Sequence, residues 1–425
     1  MAPARSWVRG ADDPEGGFPL QNLPYGVISR PGEEPRCAVA IGRFALDLEA
    51  LEQAGLLRLR ESADTALGVF GEPHLNAFMG LGPEVWSAVR RRLTELLEED
   101  GDPALRADAG LASRALIPLS EVRSHLPFHV TEFTDFYSGR QHAVNAGTML
   151  RGPENPLPPN WLHMPIGYNG RASTVVVSGT DVVRPCGQLK PKGAEAPHFG
   201  ASRRLDFELE MGTVVGLPSE MGRRLSVAEA ERAIFGYVLL NDWSARDIQG
   251  WEAQPLGPFQ AKVFATTIGA WVVPADALAP FRAAAPEREV PLLPYLEQAE
   301  PGLFDVVLEA RLEAEGREAQ VARTNWREMY FSPAQQLAHH SASGCAMRTG
   351  DLLGSGTVSG AEKGSWGSML EASWGGKEPL ELGGGVTRGF LEDGDRVTLT
   401  GWARGDGYRI GFGECAGRIL PARED

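Results

Sequence analysis

The sequence predicts a mostly β protein with scattered helices, of the α+β class, on three observations. The chain has 51 glycines and 31 prolines among 425 residues, a composition typical of many turns. Short β-branched segments bounded by turn residues recur through the last three hundred residues. Few segments show helical spacing of apolar residues. The 43% of apolar and 23% of charged residues match folded soluble proteins and exclude a mainly disordered chain.

The net charge and the first residues of the chain restrict the classes of partner and the compartment that we expect. The net charge is −15, and such an acidic surface repels phosphate groups, so we expect neither nucleic acid nor an anionic membrane as a partner. The first residues contain no apolar run and soon reach Asp12, Asp13 and Glu15, unlike a secretory leader. We therefore expect a cytoplasmic protein. An anionic substrate, if it has one, would need a locally basic pocket.

The chain divides into two predicted domains. Residues 1–120 form a small domain whose clearest element is an amphipathic helix over Pro83–Glu99, with apolar residues at helical spacing and a proline in the first turn. Prolines at 118 and 127 mark the boundary region. Strand signals dominate residues 121–425, the larger domain.

Several elements of the larger domain follow from local signals. Thr174–Val177 and Val182–Val183 are β-branched strands on either side of a turn. Segments 304–312 and 396–400 alternate in the same way. Ser226 and Glu229 form a capping box that begins a helix, and Ser332–Pro333 begins another that continues through 339.

The segment Arg204–Val215 is predicted to be one strand with unusual charge. Side chains alternate across a strand, so Asp206, Glu208 and Glu210 share one face, opposite the apolar residues. Neighbouring carboxylates repel each other. Either this face is solvated at an edge of the sheet, or a hard cation such as Mg²⁺, Ca²⁺ or Mn²⁺ neutralises it.

Two other segments concentrate reactive side chains. Residues 134–142 (TDFYSGRQH) combine an acid, a phenol, a guanidinium and an imidazole, and are predicted to form a site loop. In residues 241–249 (NDWSARDIQ), an apolar strand over 237–240 ends near Asp242, and Ser244 is predicted to cap a short helix that carries Arg246 and Gln249 on one face. Each segment alone is also compatible with an ordinary structural role.

These segments, together with further runs, resemble the fumarylacetoacetate hydrolase family. The resemblance covers residues 121–425 in order, and the first 120 residues resemble the smaller domain of that family. The matching runs are DFYSGRQHA at 135–143, NWLHMPIGY at 160–168, SGTDVVRPCGQ at 178–188, LDFELE at 205–210, NDWSARDIQ at 241–249, PLGPF at 255–259, SGTVSG at 355–360, GSMLE at 367–371 and GDGYRIGFG at 405–413.

The resemblance implies a fold and an activity. The expected fold is a small SH3-like β-barrel at residues 1–120 followed by a large, mixed β-roll catalytic domain at residues 121–425, assembled as a homodimer. The expected enzyme is a hydrolase acting on carbon–carbon bonds in ketonic substances. It would cleave 4-fumarylacetoacetate to fumarate and acetoacetate, the last step of tyrosine and phenylalanine catabolism, with Ca²⁺ or Mg²⁺ as cofactor.

The resemblance also implies roles for individual residues. The metal ligands would be Asp135, Glu208, Glu210 and Asp242, so that Asp206 is not a ligand. A second, structural Mg²⁺ is implied at Asp242, Lys262 and Thr266. The catalytic residues would be His142 and Glu371, which activate water, with Arg246, Gln249 and Lys262 as donors to the oxyanion. The substrate contacts would be Tyr137, Arg151, Tyr168, Arg246, Gln249 and Thr357.

Two departures from the family pattern bear on the substrate. Ala253 stands where animal members carry a tyrosine that contacts substrate, and Asn169 replaces a histidine. Two other functions remain open at this point: a related activity such as acylpyruvate hydrolysis or oxaloacetate decarboxylation, and a non-catalytic relative. The full-length resemblance and the presence of both His142 and Glu371 favour hydrolysis of 4-fumarylacetoacetate over these two alternatives.

Overall fold

The computed structural model describes residues 3–57 and 68–423. The α-helices within these residues are α1 Leu48–Gln53, α2 Asn76–Met79, α3 Pro83–Leu97, α4 Ala104–Ala107, α5 Ala109–Ala115, α6 Arg140–Arg151, α7 Val227–Ala233, α8 Arg246–Glu252, α9 Ala275–Leu278, α10 Pro333–Ser341 and α11 Met369–Ala372. Short 3₁₀ turns lie at Leu119–Glu121, Ala172–Thr174, Ala279–Phe281, Pro294–Leu296 and Trp326–Glu328.

Strands make up the larger part of the regular structure. They are β1 Tyr25–Ser29, β2 Arg36–Ile41, β3 Phe44–Asp47, β4 Leu116–Pro118, β5 Arg123–Ser124, β6 Phe133–Phe136, β7 Gly167–Asn169, β8 Val175–Val177, β9 Val182–Val183, β10 Cys186–Leu189, β11 His198–Ala201, β12 Leu205–Asp206, β13 Leu209–Val215, β14 Ile234–Asp242, β15 Ser244–Ala245, β16 Thr266–Ile268, β17 Trp271–Pro274, β18 Arg282–Ala283, β19 Leu303–Phe304, β20 Val307–Ala314, β21 Arg317–Asn325, β22 Leu352–Gly354, β23 Leu380–Glu381, β24 Thr387–Arg388, β25 Arg396–Arg404 and β26 Arg409–Leu420. The predicted mostly β class is confirmed.

One large sheet joins strands from both ends of the chain. Its thirteen strands follow the path β4-β3-β2-β1-β17-β14-β13-β22-β6-β7, with β5 beside β1, and β16 between β14 and β8. A second sheet has the order β21-β20-β25-β26-β9. Among the described residues the path through β1–β4 is open and continues into β17. The expected SH3-like barrel is therefore not confirmed, because these strands share their sheet with the later part of the chain.

The centre of the large sheet is covered on both faces. One face of β13 and β14 packs against β20, β25 and β26. The other face packs against α3, whose Trp86, Val89 and Leu93 lie in the same apolar cluster as Val214 and Phe235. Every residue of β13 and β14 is buried. Carboxylates on these strands are thus removed from water, which requires compensating charges or ligands.

Several predicted elements are confirmed with small changes at their ends. The helix predicted over Pro83–Glu99 is α3, with Pro83 at its first position and Glu98 as its C-cap. Capping boxes are present at Ser226 and at Ser332. Strands Val175–Val177 and Val182–Val183 are found.

Three other predictions are wrong in detail. The segment Arg204–Val215 is divided into β12 and β13, which pair with different strands, and it lies in the interior and not at a solvated edge. Segment 304–312 is divided in the same way, into β19 and β20. Ser244 does not cap the helix; it belongs to β15, its hydroxyl donates to the carbonyl of Asp242 at 3.0 Å, and Ala245 is the N-cap.

Asp351 provides a pH-dependent prediction about stability. It is a buried carboxyl before β22 that accepts a hydrogen bond from the Arg348 N–H at 2.8 Å. Its Oδ1 has no partner in the described part of the chain. Burial raises the pKa of Asp351 to about 6. The folded state therefore binds this proton more tightly than the unfolded chain does, and ionisation destabilises the fold as pH rises through about 4 to 6.

We expect Asp351→Asn, which cannot ionise, to raise the free energy of unfolding by about 3 kcal/mol at pH 8 and to have almost no effect near pH 4. Urea unfolding of both proteins at pH 4, 6 and 8 measures this difference. Asp100→Asn, at an exposed position, is the control. A difference of the same size at every pH would contradict the prediction.

Within residues 3–57 and 68–423, the structure contains no helix with the length and apolar character needed to span a bilayer.

Candidate active site

Neighbouring strands bring three distant acids together at the centre of the large sheet. Asp135 on β6 pairs with Gly354 on β22, which in turn pairs with Gly212 on β13. Glu210 lies two residues before Gly212, and β13 pairs with β14, which ends at Asp242. The order β6-β22-β13-β14 thus places Asp135, Glu210 and Asp242 side by side. Glu208, just before β13, completes the set.

These four carboxylates form a buried cluster that fits a cation. One oxygen from each of Asp135, Glu208, Glu210 and Asp242 lies within 4.8 Å of those of the others, and at most 4% of each residue is exposed. Two buried oxygens, Asp135 Oδ1 and Glu210 Oε1, have no hydrogen-bond partner among the residues that the structure describes. Because unpaired carboxylates are costly to bury, and oxygen-only ligands suit hard divalent ions, the cluster could hold such an ion.

Two cationic side chains compensate only part of the negative charge. Lys262 Nζ lies 2.5 Å from Glu208 Oε2 and 2.6 Å from Asp242 Oδ2. Arg246 Nη2 lies 2.6 Å from Glu208 Oε1. Within the cluster, Lys262 and Arg246 contact only Glu208 and Asp242. No cationic side chain of residues 3–57 or 68–423 forms an ion pair with Asp135 or Glu210.

The pKa values of the four acids reflect this uneven distribution. Burial, followed by the negative charge of Asp242, raises the pKa of Asp135 well above its ordinary value. Burial and the charge of Asp135 do the same to Glu210. Burial also acts on Glu208, but Lys262 and Arg246 outweigh it and hold the pKa of Glu208 below its usual range. Glu208 is therefore an anion even without a bound cation.

An imidazole–carboxylate pair lies beside the cluster. His142 Nδ1 is 2.6 Å from Glu371 Oε2, and His142 Nε2 is 3.9 Å from Glu208 Oε1. Both His142 and Glu371 are buried. Helix α6 carries the imidazole, and the short helix α11 carries the acid. This orientation leaves Nε2 facing the carboxylate cluster.

Glu371 is held as a carboxylate by three further donors. Asn145 Nδ2 donates to Oε1 at 2.9 Å, and the hydroxyls of Ser359 and Ser368 donate to Oε2 at 2.9 and 2.8 Å. Burial raises the pKa of Glu371, but His142 and these donors outweigh it, so the pKa lies below its ordinary value. An ionised Glu371 can orient His142 and stabilise its charged form.

The remaining predicted site residues lie at different distances from this centre. Tyr168 Oη donates to Asp242 Oδ2 at 2.9 Å, and the Tyr137 ring packs edge-on against His142 with centroids 5.6 Å apart. Gln249 Oε1 accepts from Arg246 Nη1 at 3.2 Å. Thr357 is buried, and its hydroxyl has no hydrogen-bond partner within the described ranges. These residues surround the cluster from four separate segments.

Arg151 is the least enclosed member of the predicted set. It is exposed at the end of α6, and its guanidinium donates to the carbonyl of Pro156. Burial raises the pKa of Tyr137, and the positive charge of Arg151 opposes this shift, which places Arg151 near the Tyr137 ring. Arg151 is therefore a surface cation at the end of α6, and its contact with substrate stays a prediction.

The residues of the expected second metal site also lie together. Thr266 Oγ1 donates to Asp242 Oδ1 at 3.3 Å, and Lys262 Nζ contacts the other oxygen of that carboxylate. A charged ammonium offers no lone pair to a cation, and the carboxylates around Lys262 raise its pKa. The second site stays a prediction that this arrangement does not favour.

Two family models match this chain over almost its entire length. The model described as fumarylacetoacetate hydrolase C-terminal matches residues 131–420, and the one described as fumarylacetoacetase N-terminal matches residues 21–127.

The chain belongs to the fumarylacetoacetate hydrolase family.

Relatives within this family are similar over their full length. The fumarylacetoacetase of Homo sapiens is 49% identical over 420 residues, which cover 98% of this chain and 99% of the human protein. The fumarylacetoacetase of Arabidopsis thaliana is 46% identical over 427 residues, covering 99% of this chain and 100% of the plant protein. This chain is therefore a hydrolase of the family, as the resemblance predicted.

Solved structures show the same fold at much lower identity. A fumarylacetoacetate hydrolase from psychrophilic Exiguobacterium antarcticum aligns over 94% of this chain and 100% of its own, with a TM-score of 0.53 and 15% identity. At that identity the likeness supports the family fold alone.

Sequence reasoning missed four residues of this family site. Asn145, Ser359 and Ser368 hold Glu371, and Gly354 lies between two of the clustered acids. Asn145 follows His142 by three positions on a helix, a spacing that places both on one face and was a usable signal. Ser368 also had a usable signal, since it lies three positions before Glu371 and caps α11. Ser359 and Gly354 had no such signal, because their partners lie outside their own element.

Gly354 allows Asp135 and Glu210 to approach each other. A Cβ at this position would lie 2.5 Å from Asp135 Oδ1 and 3.0 Å from Glu210 Oε2. We expect Gly354→Ala to displace both carboxylates and to lower divalent-cation affinity and kcat by at least about tenfold, the scale seen when groups that orient metal ligands are lost. Calorimetric titration with Ca²⁺ and with Mg²⁺, beside the activity assay, measures both effects.

Gly250→Ala is the matched control, because a Cβ on Gly250 of α8 meets no atom within 4 Å. Wild-type cation affinity in Gly354→Ala would show that the two acids do not act together.

Proposed function

We infer that this enzyme hydrolyses 4-fumarylacetoacetate to fumarate and acetoacetate, the last step of tyrosine and phenylalanine catabolism. One observation carries the proposal: His142, bonded to Glu371, presents Nε2 to a buried cluster of four acids. That arrangement occurs in a chain 49% identical to human fumarylacetoacetase over nearly its whole length.

The proposed cofactor is Ca²⁺ or Mg²⁺, held by Asp135, Glu208, Glu210 and Asp242. Carboxylate oxygens are the ligands that these hard ions prefer. The unpaired oxygens of Asp135 and Glu210 support this assignment. When bound, the cation supplies positive charge that favours the negative charge developing on the diketone oxygens.

The chain's own side chains account for activation of water. Glu371 holds His142 through Nδ1, so that Nε2 can take a proton from water as the oxygen attacks the ketone carbonyl. Lys262, Arg246 and Gln249 are the donors grouped where negative charge develops on that carbonyl oxygen. The side chains of Lys262 and Arg246 already contact Glu208, so their positions are set before substrate binds.

Cleavage then releases a carbon leaving group. The bond between the attacked carbon and the neighbouring carbon breaks, its electron pair leaves as an enolate, and the new carboxyl group belongs to fumarate. The proton taken up by His142 returns to the enolate carbon, giving acetoacetate. Water is consumed and atoms balance.

Substrate recognition is assigned to side chains outside the carboxylate cluster. Arg151 provides positive charge for a substrate carboxylate, which an acidic protein needs at this place. Tyr137, Tyr168 and Thr357 offer hydroxyl groups. Ala253, at the end of α8, provides no hydroxyl where animal members carry a tyrosine, so one carboxylate contact of those enzymes is missing.

The wider assignments follow from the family. We propose a homodimer in the cytoplasm, with domains at residues 1–120 and 121–425. The break between the two matched family models, after residue 127 and before 131, supports a division close to this boundary.

The proposal is tested with the purified full chain and added Ca²⁺ or Mg²⁺. The diketone absorbance of fumarylacetoacetate should decay, with fumarate and acetoacetate formed in equal amounts. No decay at high enzyme concentration, with bound cation verified, would contradict the assignment. Acylpyruvates and oxaloacetate should be turned over more slowly than fumarylacetoacetate. A preference for either would change the assigned substrate and leave the assigned site residues unchanged.

A further inference from the structure

Asp206 is a buried carboxylate next to the site with no assigned role. It is fully buried on β12, which pairs with β15 just before Arg246. Its oxygens are outside the four-carboxylate cluster. A buried carboxylate requires several hydrogen bonds to offset its loss of water, and Asp206 has three strong donors.

The three donors come from the two segments that carry the proposed chemistry. Arg246 Nε donates to Asp206 Oδ2 at 2.8 Å. The N–H of Met369 donates to Oδ1 at 2.7 Å, and the N–H of Leu370 donates to Oδ2 at 3.0 Å. Leu370 immediately precedes Glu371, so one carboxylate joins α8 to the first turn of α11.

Both attachments position functional groups around Glu208 Oε1, which Arg246 and His142 approach. With its Nε held by Asp206, the Arg246 guanidinium directs Nη2 to Glu208 Oε1 at 2.6 Å. With the start of α11 held, Glu371 lies 2.6 Å from His142 Nδ1. Arg246 and Glu371 are far apart in the chain, and Asp206 is a single group that contacts both of their segments.

We propose that Asp206 is a positioning residue that fixes the Arg246 guanidinium and the Glu371–His142 pair relative to each other. The reaction it serves is the proposed function, on which this role rests. Aspartate suits the task because both oxygens accept. An asparagine would turn its NH₂ group toward a donor, either Met369 N–H or the pair formed by Leu370 N–H and Arg246 Nε.

The test is Asp206→Asn in the full-length protein. We expect kcat to fall about 10- to 100-fold, as when a group that orients a catalytic residue is removed, with KM changed less than threefold. In an Arg246→Gln background the same change should cost much less than in the wild type, because the two residues act together.

Asp247→Asn is the matched control. Asp247 is adjacent to Arg246 on α8 and also accepts three hydrogen bonds, from the Ser202 hydroxyl and the N–H groups of Arg203 and Ile248, none from a proposed site residue. It should retain wild-type kcat. If Asp206→Asn does not fold, Asp206→Ser, which is smaller and keeps one acceptor oxygen, takes its place.

A second readout needs no turnover. The proton between His142 Nδ1 and Glu371 should give a downfield proton NMR resonance, absent in His142→Gln. It should move or broaden in Asp206→Asn and stay unchanged in Asp247→Asn. An unmoved resonance, or a kcat within twofold of wild type, would overturn the role of Asp206. Wild-type protein inactive on fumarylacetoacetate would overturn the substrate alone, since the NMR comparison still decides the positioning role.

Discussion

Replacing His142 by glutamine should lower kcat by about 10²- to 10⁴-fold, the contribution typical of a general base. Glutamine keeps much of the side-chain volume and one polar contact to Glu371, but it cannot accept a proton from water at neutral pH. The cation cluster does not include His142, so Ca²⁺ or Mg²⁺ should bind with near wild-type affinity. Steady-state kinetics and calorimetric titration measure the two quantities.

His125→Gln is the matched control for this prediction. His125 Nε2 lies 2.8 Å from the Ser29 hydroxyl, beside β1, and is not part of the site. It should retain wild-type kcat. A near-normal kcat in His142→Gln would remove His142 as the base.

The second large effect is expected from Glu208→Gln. Glu208 contacts both Lys262 and Arg246 and faces His142, so neutralising it removes the group on which the site's cations converge. We expect divalent-cation affinity to fall at least about tenfold and kcat at least about 100-fold, because a direct ligand should matter no less than the groups that orient ligands. Titration with each cation, and kinetics at saturating cation, separate the two effects.

Glu309→Gln provides the comparison, since Glu309 is also a buried glutamate and pairs with Arg323 at 2.7 Å on β20 and β21. It should bind cations like the wild type. Unchanged cation affinity in Glu208→Gln would refute the ligand role of Glu208.

Local sequence signals predicted the elements that depend on neighbours in the chain. Helix α3, the capping box at Ser226 and the helix start at Ser332–Pro333 follow from spacing and from contacts within one turn. The segment Arg204–Val215 was predicted as one continuous strand, with its acidic face either solvated or neutralised by a cation, because alternation cannot show which strands pair with it. The structure divides it and buries both parts.

The candidate site shows the same division between local and distant information. Family motifs indicated Asp135, His142, Glu208, Glu210, Asp242 and Glu371 by number, and the structure brings them together. Asp206 shares the predicted strand face with Glu208, yet it turns to Arg246 and α11. No local pattern distinguishes a ligand from a positioning carboxylate, since the difference lies in which distant donors reach each one.

The amino-acid sequence by itself determined the class of fold, the family and the residue types available for chemistry, because these depend on composition, short-range periodicity and motif order. Only the tertiary structure decided that the four acids lie together beside Lys262 and Arg246, and that Gly354 must lack a side chain. It also decided that β1–β4 extend the central sheet instead of closing a barrel. Those features arise from pairing between strands that are distant in the chain, such as Phe133 with Leu352 and Tyr25 with Val272, and no local interaction encodes that pairing.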